Sequence, residues 1–152
     1  MSDPSSEEVM LNDLMFLALD HAIESIKDTG GPLTPFSITE DAAGGKILTR
    51  YAAERLEEGE ILGKKKIEEA KARIVRYAFA WDGFVTIEGK KWDAILVEAG
   101  DKTRETGLLL CQRYQKKDST QNRFFRFLRT CKWGHIIPPV RSVIREARRS
   151  SA

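Results

Sequence analysis

The residues of this chain that could do chemistry begin with a group of carboxylates and one lysine. Asp82, Glu88, Lys90, Asp93 and Glu98 fall in one short stretch. Carboxylates on strands, with a lysine beside them, can hold two divalent ions around a phosphodiester. The spacing weakens that reading. Asp93 and Glu98 are five apart, so they leave opposite faces of a regular strand. Asp82 has a sufficient task in an Asp82-Gly83 turn. The chain has only two histidines, His21 and His135, and no Gly-x-Ser-x-Gly, so a nucleophilic triad has no support. Cys111 and Cys131 are too far apart in sequence for a metal-ligand spacing or a disulfide framework, and two reduced thiols are expected. Gly44-Gly45 lacks the Lys-Ser/Thr that would follow in a phosphate-binding loop. No cofactor and no metal set is expected.

In residue types, the carboxylates resemble the restriction-endonuclease-like arrangement, where an Asp on one strand precedes Glu-x-Lys on the next. Here Glu88-Gly89-Lys90 comes before Asp93 and straddles a turn. The following strand offers Cys111-Gln112-Arg113, with no acid. A metal-dependent nuclease is therefore the third-ranked reading.

Binding chemistry has more to work with. Arg123 to Trp133 interleaves cations with rings, and Arg123, Arg126, Phe127 and Arg129 are its candidate contacts. Cations that track phosphates beside rings that stack on bases suit a single-stranded nucleic acid. The charge distribution agrees. Residues 1–111 carry 14 basic and 21 acidic side chains, whereas 112–152 carry 11 basic and two acidic ones. Such asymmetry points to an acidic partner, or to pairing between the protein's own halves or between two copies. Cations among phenylalanines also describe a segment that covers a sheet, with long stems lying on apolar surface.

These residues must be positioned by a sheet. Two turn signals divide residues 76–98, Asp82-Gly83 and Gly89-Lys90, and they predict strands at 76–81, 84–88 and 92–98. A fourth run, 108–114, completes an antiparallel meander. That register pairs Trp81 with Phe84, and Asp93 with Thr86. It puts Ala78, Ala80, Val85, Ile87, Trp92, Ala94 and Leu96 on one face. The other face holds Tyr77, Phe79, Trp81, Phe84 and Asp93, an aromatic surface with a carboxylate in its middle. Rings that bury ~150–250 Å² each do not lie bare on a monomer, so chain or partner must cover them. These five residues are the second set of candidate binding contacts.

Earlier in the chain, Ser5-x-x-Glu8 is a capping box and starts a helix. Leu11, Met15, Ala18, Ala22 and Ile26 keep its apolar stripe, widened by Leu14 and Leu17, and Gly30-Gly31-Pro32 stops it. His21, at the stripe's edge, is expected to be structural. This helix is predicted to pack on the small-residue face of the sheet. Pro35–Glu40 reads as an edge strand, and Lys46–Tyr51 as the strand that returns. Residues 52–74 are helical in composition, with a stripe of Leu56, Ile61, Leu62, Ile67, Ala70 and Ile74. Gly59 and Gly63 predict a break, with the firm part near Lys64. Val140–Arg149 predicts a short basic helix after Pro138-Pro139.

Length and composition suit one α+β domain over residues 1–152, with 1–5 and the basic tail 145–152 frayed. No run is apolar and long enough to span a membrane, and the polar acidic N-terminus predicts a cytoplasmic protein. The expected function is a non-enzymatic protein-interaction or regulatory module that binds a protein partner or a second copy. Nucleic-acid binding through 123–133 is the alternative.

Overall fold

The computed structural model describes residues 5–103, 107–116 and 125–133, with backbone alone for 115–116 and 125–133. The chain is an α+β fold in which two helices pack against an antiparallel sheet. Helix α1 spans Ser6–Thr29, strands β1 Phe36–Glu40 and β2 Lys46–Arg50, and helix α2 Leu56–Ala70. Strands β3 Arg76–Ile87, β4 Lys90–Asp101, β5 Leu108–Lys116 and β6 Phe125–Trp133 follow. The sheet order is β2-β1-β3-β4-β5, with β6 paired to β5 at the far edge.

Helix α1 begins and ends where its sequence dictates. Ser5 caps it, its hydroxyl accepting from the Glu8 amide at 3.2 Å. Gly30 closes it at φ 84°, donating its amide to the Ile26 carbonyl. Leu11, Leu14, Met15, Ala18, Ala22 and Ile26 are buried against Ala78, Ala80, Ile95, Val97 and Ala99. Helix α1 packs on the sheet as expected, but on a different face: of the predicted set only Ala78 and Ala80 lie under it, joined by Ile95, Val97 and Ala99, while Val85, Ile87, Trp92, Ala94 and Leu96 belong to the cluster on the other side. Leu17 departs from the predicted stripe and is exposed.

The largest correction concerns the meander. There is no turn at Asp82-Gly83: β3 runs unbroken through both residues and pairs along its whole length with β4. The reversal falls instead at Glu88-Gly89, with Ile87 opposite Lys90. Both turn residues have positive φ, 51° and 76°, as a two-residue type I′ turn requires. The expected Gly89-Lys90 turn is thus shifted by one residue. Since side chains alternate with period two, one uninterrupted strand re-sorts the faces. Tyr77, Phe79, Trp81, Val85 and Ile87 now share a side. Ala78, Ala80, Asp82, Phe84 and Thr86 share the other. Across β4, Asp93 sits opposite Phe84 rather than Thr86.

Two further expectations give way. Strand β1 lies inside the sheet between β2 and β3, so the edge is β2. Helix α2 is continuous, and its glycines are the reason it fits. Gly59, Gly63 and Ile67 are its buried face, while Ile61 and Leu62 are exposed. A Cβ on Gly59 would collide with the Tyr51 carbonyl oxygen. One on Gly63 would collide with the Phe79 ring and stand 2.8 Å from the Tyr51 ring. The bulk on this side comes from the sheet, through Phe79, Trp81 and Tyr51. The two sides of the sheet divide volume in opposite ways: large helix residues on small strand residues under α1, the reverse under α2. The predicted helix Val140–Arg149 lies outside the described residues.

Candidate functional site

Strand β1 pairs only with residues 76–80 of β3, so β3 outruns it. From Trp81 to Ile87 the only sheet neighbour of β3 among the described residues is β4. The α1–β1 connection crosses at this point, and the first turns of α2 stand beside it. Between them lies a cleft of about 400 Å³ lined by Gly30–Pro32, Leu56, Glu57, Glu60, Trp81, Asp82, Gly83, Phe84, Asp93 and Tyr114. A larger groove of about 530 Å³ lies beside Arg76, towards the opposite end of β3. There the guanidinium is already held by Glu7 and Glu40, each at 2.9 Å.

The cleft brings four carboxylates to aromatic walls. Asp82 is the anchor. Its Oδ2 accepts the Leu33 amide at 2.8 Å, and the Tyr114 hydroxyl donates to both its oxygens at 3.0 and 2.8 Å. It ties the crossing loop to β3 and reaches β5 over the top of β4. Burial pushes its carboxyl above the usual range despite these donors, and nearby Asp93 adds to the rise. Burial likewise raises the Tyr114 hydroxyl, with the Asp82 charge and hydrogen bond adding to it, so it stays a proton donor.

Glu60 is the unsatisfied member. Burial pushes its carboxyl up to about 7; Lys64 opposes the rise, while Glu57 and Glu98 add to it. Its Oε1 is buried without a hydrogen-bond partner among the described residues. The same holds for Trp81 Nε1. A Cβ built on Gly83, itself a wall residue, would stand 3.9 Å from that nitrogen, so the indole edge faces the space above Gly83. The cleft thus holds, among the described residues, an unsatisfied acceptor on α2 and an unsatisfied donor on β3. Lys64 is not free to answer Glu60. Its ammonium is 2.8 Å from Glu98 Oε2 and 5.0 Å from the centroid of the Trp81 ring.

The predicted binding residues separate. Tyr77, Phe79 and Trp81 lie beneath α2; Phe79 is fully buried and stacked on Trp81 at 5.6 Å. Tyr77 donates its hydroxyl to Glu98 Oε1 at 3.0 Å. Phe84 and Asp93 lie on the opposite side of the sheet, and Lys91 Nζ is 3.8 Å from the Phe84 centroid. The predicted single aromatic face does not exist; α2 covers most of its rings. Trp81, Phe84 and Asp93 meet again only because the cleft wraps around the open edge of β3. Arg126, Phe127 and Arg129 fall in β6, with Phe127 opposite Tyr114 and Arg126 opposite Gln115. Arg123 lies outside the described residues.

Of the proposed catalytic carboxylates, Asp82 and Asp93 share the cleft, Glu88 is in the turn and Glu98 is held under α2. Among the described residues no three His, Cys, Asp or Glu side chains are grouped to hold a metal ion. His21, at the edge of the α1 stripe, contacts Arg50 and Phe36. Its Nε2 is 3.0 Å from an Arg50 nitrogen and its ring meets Phe36 edge-on at 5.0 Å. Burial, with the Arg50 charge, lowers its pKa, so the neutral ring accepts from the guanidinium.

Sequence reasoning passed over Glu57 and Glu60. The signal was the glycine pair one helical turn apart. Gly59 and Gly63 mark the face that touches the sheet, and Glu60 is its immediate neighbour. No family model matches the chain, and no curated protein or solved structure matches it. No helix among the described residues is long and apolar enough to cross a membrane.

Proposed function

We propose that this protein is a non-enzymatic protein-interaction module whose cleft receives a basic side chain of a partner segment lying along the open edge of β3. The observation that carries the reading is Glu60, a half-buried carboxyl in the same cleft as the Trp81 indole N–H, each lacking a hydrogen-bond partner among the described residues. A guanidinium or ammonium would supply donors to Glu60, with Asp93 and Glu57 adding charge. A main-chain carbonyl of the same segment would accept from Trp81. Exposed strand edges take extended peptides through main-chain hydrogen bonds, while pockets beside them set specificity. The edge of β3 from residue 81 onward offers both.

Short acetylated peptides with a central Arg, Lys or Glu test this, followed by indole fluorescence. Saturable quenching is expected with Arg and Lys but not Glu, and Glu60→Gln and Asp93→Asn should each weaken it about tenfold. Equal responses to all three peptides, or no loss in either variant, would overturn the reading. Light scattering on the free protein tells a second copy from a foreign partner.

Nucleic-acid binding is the second reading, favoured by the cations around Trp92. Lys90 Nζ and Arg113 lie 4.1 and 5.0 Å from its ring centroid. A salt-dependent shift of a single-stranded oligonucleotide, weakened by Arg126→Ala or Phe127→Ala, would support it. No shift at low salt would remove it.

A further inference from the structure

We propose that Cys111 and Cys131 form a two-thiol site that a low-molecular-weight disulfide oxidises to a bridge between β5 and β6. The register carries this. Cys111 is the direct partner of Cys131, flanked without interruption by Leu110 opposite Lys132 and Gln112 opposite Thr130. The irregularity in the ladder begins only between Gln112 and Tyr114. Directly opposite residues in antiparallel strands have Cα atoms about 4.5–5.5 Å apart. Disulfides span Cα separations of about 4.4–6.8 Å, so directly paired positions fall within bridging range. Nineteen residues of sequence lie between the two cysteines; the strand pairing removes that distance.

The site is asymmetric. Cys111 is 1% exposed and packs in the cluster beneath α2 with Leu96 and Leu109. That burial keeps a dissolved disulfide from reaching its sulfur, so it is a poor first nucleophile. Cys131 is on the outermost strand of the sheet. The Cys131 thiolate therefore attacks one sulfur of a disulfide such as oxidised glutathione. A mixed disulfide forms and one glutathione leaves as thiolate. The Cys111 sulfur, its proton lost, then attacks the Cys131 sulfur and expels the second glutathione. The protein gives up two electrons and two protons, which end on two glutathione thiols. The product ties the outermost strand, which carries Arg126, Phe127 and Arg129, to the body of the sheet.

The test uses the full reduced chain, incubated with oxidised glutathione, then unfolded and alkylated. Both cysteines should be protected together, in a monomer lighter by two hydrogens than the reduced chain. Bridging should be at least tenfold faster in native buffer than in 8 M urea. The double variant Thr130→Cys, Cys131→Ala moves the thiol to the other face of β6 and should abolish bridging. Circular dichroism of that variant before oxidation confirms that it folds. Two alkylated cysteines, equal rates with and without urea, or an intact bridge in the folded double variant would each overturn the proposal.

Discussion

Replacing Glu60 by Gln should stabilise the protein in alkaline solution and leave it unchanged in acid. Gln keeps the shape and removes the charge that burial penalises. With its carboxyl pushed from 4.5 up to about 7, Glu60 holds its proton more tightly folded than unfolded. Below pH 4.5 both states are protonated and the group costs nothing. Between 4.5 and 7 the folded state binds more protons, so stability falls as pH rises, and above 7 the full penalty applies. At about 1.4 kcal/mol per tenfold change the ceiling is about 3.5 kcal/mol. The carboxyl is only half-buried, so solvent screening brings the expected gain to about 1–2 kcal/mol. Urea denaturation of both proteins at pH 4.5 and pH 8, followed by circular dichroism, measures it. The gain at pH 8 should vanish at pH 4.5. An equal gain at both values would show that Gln acts through packing, and the argument from burial would fail.

The peptide site should titrate with the same group. Affinity for the Arg peptide should rise between pH 6 and pH 8, and the rise should disappear in Glu60→Gln; an unchanged slope in the variant would place the titrating group elsewhere. Gly63→Ala should destabilise by about 2 kcal/mol, because overpacking against Phe79 and Tyr51 outweighs the ~1 kcal/mol that Ala gains in a helix; thermal melts decide it. Asp82→Ala removes the acceptor for the Leu33 amide and the Tyr114 hydroxyl, and should cost about 2 kcal/mol in urea denaturation. Glu88→Asn should stabilise by about 0.5–1 kcal/mol, since Asn tolerates the positive φ that Glu88 adopts, and a lower melting temperature would count against the type I′ turn.

Helix α1 and the succession from residues 92–98 to the strand at 108–114 could be read locally. Ser5, Gly30 and the apolar stripe of α1 act within a few residues of themselves. Asp82-Gly83 misled because its turn chemistry is genuine but has a competitor. Leu33 and Tyr114, far away in sequence, recruit the Asp82 carboxylate and keep the chain straight. A clue was available in the phase: Tyr77, Phe79, Trp81, Val85 and Ile87 keep one unbroken period of two through Gly83. Two turns would have required that phase to reset. The interior place of β1 depends on pairing with β3 across α2, which no local pattern encodes. The cleft shared that obscurity. Its walls come from α2, β3, β4, β5 and the α1–β1 loop, and they meet only because β1 is seven residues shorter than β3.

The glycine contact beneath α2 also bears on how tightly a guest could be held. Backbone there rests directly on aromatic rings, with no long side chain between to flex or change rotamer. A helix seated in this way has little slack, so Glu57 and Glu60 are presented at a fixed height above the open strand. Much of the ordering that a recognition surface must undergo has then been completed during folding rather than at the moment of encounter.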